Sequence, residues 1–217
     1  MFKLVIFDID GTLYDLPEGA SDFSKTKMYK EIKQKGIEFI ALRLGKSHKE
    51  AIKIRQHIDK KYDGDISIGL EKEYGLHRSE YFNYAWTVDL KGYVRSDKKT
   101  ADMINSIKCN KAILSAAPEV WINNVLQRLN LNGLFDYVVS GDGDIRKPNP
   151  ESYKTVLSHF GVKPEETIMV DDTYSCLRAA KDLGIRTVLI KRNRTRFPNY
   201  VDFAIEDLKS IVHMLEH

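Results

Sequence analysis

Cysteine is scarce: the 217-residue chain holds two, Cys109 and Cys176, far apart and outside any C-x-x-C spacing. That excludes a disulfide framework and a cysteine-based zinc site, and leaves two free thiols suited to a reducing compartment. Long apolar runs are missing too. No stretch reaches the roughly 18 consecutive apolar residues of a membrane helix, so no membrane association is expected. The first apolar run meets an aspartate, Asp8, too early for the hydrophobic region of a secretory signal, which makes the cytoplasm the expected location. Charge of one sign is also lacking: 34 Lys+Arg against 31 Asp+Glu leave +3, too mild an excess to imply a nucleic acid partner. The six histidines are scattered without an H-E-x-x-H pattern, which argues against a histidine-based metal site. Repeats and low-complexity tracts are absent, and the charge cluster worth noting is "KRNRTR", Lys191 to Arg196, a solvated loop or an attractor for a phosphorylated substrate.

What is present is an ordinary globular composition, 42% hydrophobic and 30% charged, on a chain long enough to bury roughly 70% of its unfolded surface. Short apolar runs predict strands at Lys3 to Phe7, Lys111 to Leu114, Tyr137 to Val139, Thr167 to Val170 and Arg186 to Ile190. Helical patterns lie between them at Ser96 to Ile107, Pro118 to Leu129, Pro150 to Phe160 and Thr173 to Leu183. This alternation predicts an α/β fold, a Rossmann-like parallel sheet with helices on both faces, in which ligands sit beyond the carboxyl ends of the strands. From Tyr14 to Gly92 the rhythm breaks and only helical patterns remain. The expected organisation is therefore an α/β core of residues 1–14 and 93–217 with an inserted helical cap, 15–92, hinged at "DLPEG" and around Gly92. Tyr81, Phe82, Tyr84 and Trp86 read as the core of that insertion rather than as a platform for stacked bases.

Chemistry gathers where the strands end. The buried-looking run Leu4 to Phe7 stops at two carboxylates, Asp8 and Asp10; Ser115-Ala116-Ala117 follows the second strand and Asp171-Asp172 the fourth, and Lys147 stands before a later helix. An ionised carboxylate at the edge of a core is costly unless a cation or a reaction needs it. A calcium loop of the EF-hand type is excluded, because no glutamate occupies its final ligand position. "GDGD", Gly141 to Asp144, reads as a turn that aims Lys147, and in "RKPNPESY" Asn149 is placed to cap the next helix and Pro150 to begin it.

Through D-x-D-G-T at Asp8 to Thr12, Ser115, Lys147 and "VDD" at Val170 to Asp172, in that order, the chain resembles the haloacid dehalogenase superfamily of phosphohydrolases. The stretch Gly69 to Asp89 with the "KPNPESY" segment looks most like the pyrimidine 5′-nucleotidase branch. The resemblance implies a magnesium-dependent phosphomonoesterase acting on a small-molecule phosphomonoester, a nucleoside 5′-monophosphate first and phosphoglycolate or a sugar phosphate second. A catalytically silent phosphate-binding protein of the same fold is the rival. It further implies that Asp8 is the nucleophile and Asp10 the general acid. Magnesium is held by Asp8, Asp172 and the Asp10 carbonyl with Asp171 behind them, phosphate by Ser115 and the Ala116 N–H, and Lys147 neutralises charge. Dehalogenase members lack the second aspartate, so Asp10 argues for phosphoryl transfer: a halide needs no proton. An Asp ordinarily ionises near pH 3.9, so a proton donor at position 10 must be shifted upward, and a neighbouring negative charge is one way to do it. Two positions depart from the family pattern, Ala116 where many members have Asn and Cys176 where many have Asp or Asn.

Overall fold

The computed structural model describes residues 2–190 and 197–216. The basic cluster Lys191 to Arg196 falls outside them. Along the chain come β1 (Leu4–Phe7), α1 (Lys27–Leu44), α2 (His48–Lys61), α3 (Ile66–Tyr74), α4 (Arg78–Ala85), α5 (Lys98–Ser106), β2 (Asn110–Leu114) and α6 (Glu119–Leu129). They are followed by β3 (Tyr137–Val139), α7 (Pro150–Phe160), β4 (Thr167–Asp171), α8 (Tyr174–Asp182), β5 (Arg186–Ile190), β6 (Phe203–Ile205) and α9 (Ser210–Glu216).

The strands form one sheet in the order β3-β2-β1-β4-β5-β6, and every pairing is parallel. With helices between its strands this is the α/β architecture that the alternation predicts, because parallel strands need crossover connections and those cover the sheet. β1 sits centrally, and all four of its residues are buried, as a strand covered on both faces requires. Leu4 and Ile6, with Ala112, Leu114, Met169 and Leu189, share a buried cluster with Tyr153, Val156 and Leu157 of α7 and Leu177 and Ala180 of α8. Alternate residues Val5, Phe7, Ile113, Ile168, Val170 and Val188 are likewise 0% exposed.

The chain divides into two compact units, residues 1–19 with 94–217, and residues 20–93. The second contains α1 to α4 and, among its described residues, no strand. Its core gathers Met28, Ile32, Phe39, Ile40, Ile58 and Leu70, with Tyr81 set edge-on to Phe39 at 5.7 Å. Tyr81 and Phe82 are buried, Trp86 stacks on Phe23 at 6.2 Å, and Tyr84 is exposed. The sequence pattern puts the limits at 14/15 and 92/93, whereas the compact units divide at 19/20 and 93/94.

The differences from the sequence pattern are local. β6 was not expected: it is a three-residue edge strand whose Phe203 is 44% exposed, too short for periodicity to mark. β4 runs one residue further than the apolar pattern, because Asp171 pairs in register with Leu189 of β5. Pro118 is the residue before α6 rather than its first helical one.

The β5–β6 edge is tied by Asp202. Its carboxylate accepts from Thr187 N at 2.9 Å, from Thr187 Oγ1 at 3.1 Å and from the Lys181 ammonium. Burial pushes this carboxyl up, but Lys181 and Thr187 outweigh it and hold it below its ordinary range. A depressed carboxyl contributes stability above its unfolded value of about 3.9, and that contribution disappears as pH falls through the folded value. Asp202→Ala is expected to lower the urea midpoint by the equivalent of about 1–3 kcal/mol at pH 7. The gap between variant and parent should close below about pH 4. A gap that persists unchanged at pH 3 would contradict this.

Candidate active site

The carboxyl ends of β1, β2 and β4 lie side by side because β1 is flanked by β2 and β4. Asp8 is the first residue past β1, and its N–H continues the ladder by donating to Val170 O at 3.0 Å. Its side chain thus faces the end of β4, where Asp171 and Asp172 stand. One ligand oxygen from each of Asp8, Asp171 and Asp172 falls within 4.8 Å of the others.

Lys147 enters this cluster from the loop before α7. Its ammonium pairs with the Asp8 carboxylate and, at 2.7 Å, with Asp171 Oδ2, and all three side chains are nearly sealed from solvent. Burial opposes the lysine's charge, but Asp171 and Asp8 overcome it and hold the ammonium well above its ordinary range. The loop is anchored at its far end as the sequence predicts: Asn149 Oδ1 accepts from Glu151 N at 3.0 Å and Pro150 opens α7. Asp171 is gripped from both sides, since its Oδ1 also accepts from Thr173 N at 2.7 Å.

Lys147 offsets one negative charge among three carboxylates. Burial first, then the charges of Asp8 and Asp171, push Asp172 up to about 7. Burial raises Asp171 as well, against the pull of Lys147. These are hard oxygen donors, several from carboxylates and without nitrogen or sulfur among them, the set that suits a magnesium-like cation. Both oxygens of Asp171 are already engaged, so Asp8 and Asp172 are the better placed to bind directly. Gly11 allows Asp172 to come close: it has φ +84°, and a Cβ there would lie 2.5 Å from Asp172 Oδ2.

Asp10 is placed differently from the metal-type cluster. Its Oδ1 accepts from the Tyr14 hydroxyl at 2.5 Å and from Trp121 Nε1 at 2.9 Å. Burial, then the charge of Asp8, raise its carboxyl to about 7 against those two hydrogen bonds. The neighbouring aspartate therefore contributes to the shift, but desolvation is the larger cause. Neither Tyr14 nor Trp121 was expected at the site. Tyr14 is a local contact four residues on, whereas Trp121 arrives from α6 through the tertiary fold and leaves no spacing signal in the sequence.

Ser115 is buried at the end of β2, its N–H donating to Val139 O at 3.0 Å. Its Oγ accepts from Ala117 N at 3.1 Å, so the hydroxyl proton is directed elsewhere. Ala116 is exposed. The start of α6 takes an anion from the protein itself: Asp142 Oδ2 accepts from Glu119 N at 2.7 Å and from the Ser140 hydroxyl. "GDGD" is thus a turn whose first aspartate caps α6. Cys176 is buried in the first turn of α8, its carbonyl accepts from Tyr153 Oη at 2.9 Å, and burial, then Asp171, push its thiol up to about 12.

A family model described as haloacid dehalogenase-like hydrolase matches residues 2–184. The chain belongs to the haloacid dehalogenase-like hydrolases. It is 26% identical over 225 residues to the phosphoglycolate phosphatase of Aquifex aeolicus, covering 99% of this chain and 97% of that one. It is 36% identical over 96 residues to the glyceraldehyde 3-phosphate phosphatase of Pyrococcus furiosus, a match spanning 41% of this chain and 40% of the relative. Among solved structures it superposes on a haloacid dehalogenase-family phosphatase from Thermococcus onnurineus with TM-score 0.64, 24% identity and coverage of 99% and 98%. It also superposes on the L-2-haloacid dehalogenase of Xanthobacter autotrophicus with TM-score 0.62 at 20% identity, covering 100% of this chain and 99% of that one. These two likenesses are of fold.

Gly141 tests how tightly the strand-end loops are fitted. A Cβ on it would lie 2.0 Å from the Ala116 carbonyl oxygen, which is backbone and cannot swing aside. Gly141→Ala is expected to destabilise the protein by about 1–3 kcal/mol, read as a lower urea midpoint with the slope unchanged. An unaltered midpoint would show that these loops are slack.

Proposed function

We propose that this hydrolase is a magnesium-dependent phosphomonoesterase acting on a small phosphorylated metabolite through an aspartyl-phosphate. The observation that carries the reading is the division of labour between Asp8 and Asp10. Asp8 sits against the Lys147 ammonium and the β4 carboxylates, whereas Asp10 is turned away onto Tyr14 and Trp121 with its carboxyl raised to about 7. A carboxylate beside a cation and, two residues on, a carboxyl raised toward neutrality are what nucleophilic attack and leaving-group protonation ask for.

In this mechanism an Asp8 oxygen forms a bond to phosphorus as the bond from phosphorus to the ester oxygen breaks, and the departing oxygen takes the proton of Asp10. Asp10, now a carboxylate, then takes a proton from water, whose oxygen attacks the aspartyl-phosphate and releases phosphate and Asp8. Lys147 and the Ser115 hydroxyl stabilise the phosphoryl oxygens. Asp8, Asp172 and the Asp10 carbonyl, with Asp171 behind them, would hold a magnesium ion, which when bound would supply the positive charge that lets an anion approach an anionic ester. The repulsion to be offset is on the order of 4 kcal/mol for two like charges about 4 Å apart at an effective dielectric near 20.

Asp10 separates this reading from carbon–halogen cleavage, which needs no proton on its leaving group. For substrate, the full-length likeness to a phosphoglycolate phosphatase and the partial likeness to a glyceraldehyde 3-phosphate phosphatase favour phosphoglycolate or a sugar phosphate. The nucleoside 5′-monophosphate suggested by the cap stretch takes second place. The helical unit, residues 20–93, is proposed as the cap that selects among them.

A panel of phosphomonoesters assayed with magnesium and with chelator tests this. Turnover is expected with magnesium, to be lost on chelation, and to fall on the order of a thousandfold or more in Asp8→Asn. Binding without turnover would identify a silent relative, and hydrolysis surviving Asp8→Asn would remove the nucleophile.

A further inference from the structure

Asp10 has one oxygen spoken for twice. Tyr14 Oη at 2.5 Å and Trp121 Nε1 at 2.9 Å both contact Oδ1. An indole N–H only donates, and a phenol O–H facing it across the same oxygen donates as well, which makes Oδ1 the carbonyl-like atom of the carboxyl group. The second carboxyl torsion of Asp is broad and nearly two-fold, so an untethered Asp10 would present either oxygen to the leaving group. Two convergent donors remove that freedom.

Both donors are rigidly held. Trp121 is 0% exposed and lies in the first turn of α6, whose start is pinned by Asp142. Tyr14 is 7% exposed and follows a tight turn in which Thr12 N and Leu13 N both donate to Ile9 O, at 3.1 and 2.9 Å. One carboxylate oxygen accepts from both of these buried donors.

We infer that Tyr14 and Trp121 are positioning residues for the proton donor: by occupying Oδ1 they commit Oδ2 to carrying the proton to the leaving oxygen. The inference rests on the phosphomonoesterase reading and adds two residues to it. When the ester bond breaks, the proton passes from Oδ2 to the departing oxygen, and the carboxylate left behind keeps both donors. Such hydrogen bonds strengthen once the acceptor is charged, so they favour completion of the transfer.

Leaving groups that need protonation should feel their loss most. The test compares 4-nitrophenyl phosphate, whose leaving group departs readily as an anion, with phenyl phosphate, whose leaving group resembles the tyrosine phenol with its pKa of about 10. In Tyr14→Phe and Trp121→Phe, kcat/KM for phenyl phosphate is expected to fall about tenfold or more beyond any fall for 4-nitrophenyl phosphate. Asp10→Asn should show the same tilt, more steeply. Equal losses on both esters, or no loss, would overturn the positioning role and leave a structural one. Tyr14→Phe removes one oxygen from the side chain and keeps the test usable where Trp121→Phe unfolds, as checked by thermal melting. The parent protein and Asp8→Asn, run alongside, separate the two levels. A parent that hydrolyses neither ester sinks the phosphomonoesterase reading and this inference with it, and an Asp8→Asn variant as active as the parent removes the proposed nucleophile. An active parent whose Tyr14→Phe variant shows no tilt overturns the positioning role alone.

Discussion

Lys147 keeps its charge with 5% of its side chain exposed, and two carboxylates, Asp8 at 8% and Asp171 at 0%, make that tenable. Breaking such a buried set by removing one partner commonly costs about 3–5 kcal/mol, yet replacing the whole set by apolar residues is often neutral or stabilising. Stability alone does not account for it. What the ion pair does is hold strand ends β1 and β4 and the loop before α7 in one register, with a carboxylate to spare. Asp172 beside it is raised to about 7, by burial first and then by the charges of Asp8 and Asp171.

That cluster and the topology belong together. A parallel sheet with β1 between β2 and β4 delivers the ends of three strands to one edge, where side chains distant in sequence meet. Asp8 comes from residue 8, Ser115 from the middle of the chain and Asp171 from its last third, and the backbone ladder sets their spacing. The loops then adjust details that strands cannot. Gly11 brings backbone against Asp172, Gly141 packs on the Ala116 carbonyl, and Asp142 caps the helix that carries Trp121.

Much of this was legible in the sequence, for physical reasons that also mark the limits. An apolar run stopping at two aspartates announces a buried strand with charged residues at its end, and Asn149-Pro150 announces a helix start that fixes Lys147. Hydrophobic periodicity places Asp171 past its strand because it ends at Val170, while hydrogen bonding continues one residue further. β6 is too short and too exposed for any pattern. The partners of Asp10 are the larger omission: a tryptophan 111 positions away touches it through tertiary packing alone. A neighbouring charge is one way to raise that carboxyl and is visible in the sequence, whereas burial contributes more and is a property of the folded chain.

The central claim, that Asp8 forms a covalent bond to phosphorus, is tested most directly by rapid acid quenching of enzyme mixed with a radiolabelled phosphomonoester that it turns over. The account predicts a labile acyl-phosphate on the protein within one turnover, mapped by peptide mass spectrometry after borohydride reduction to position 8. Label on another residue, or steady turnover with no phosphorylated protein at any quench time, would contradict it.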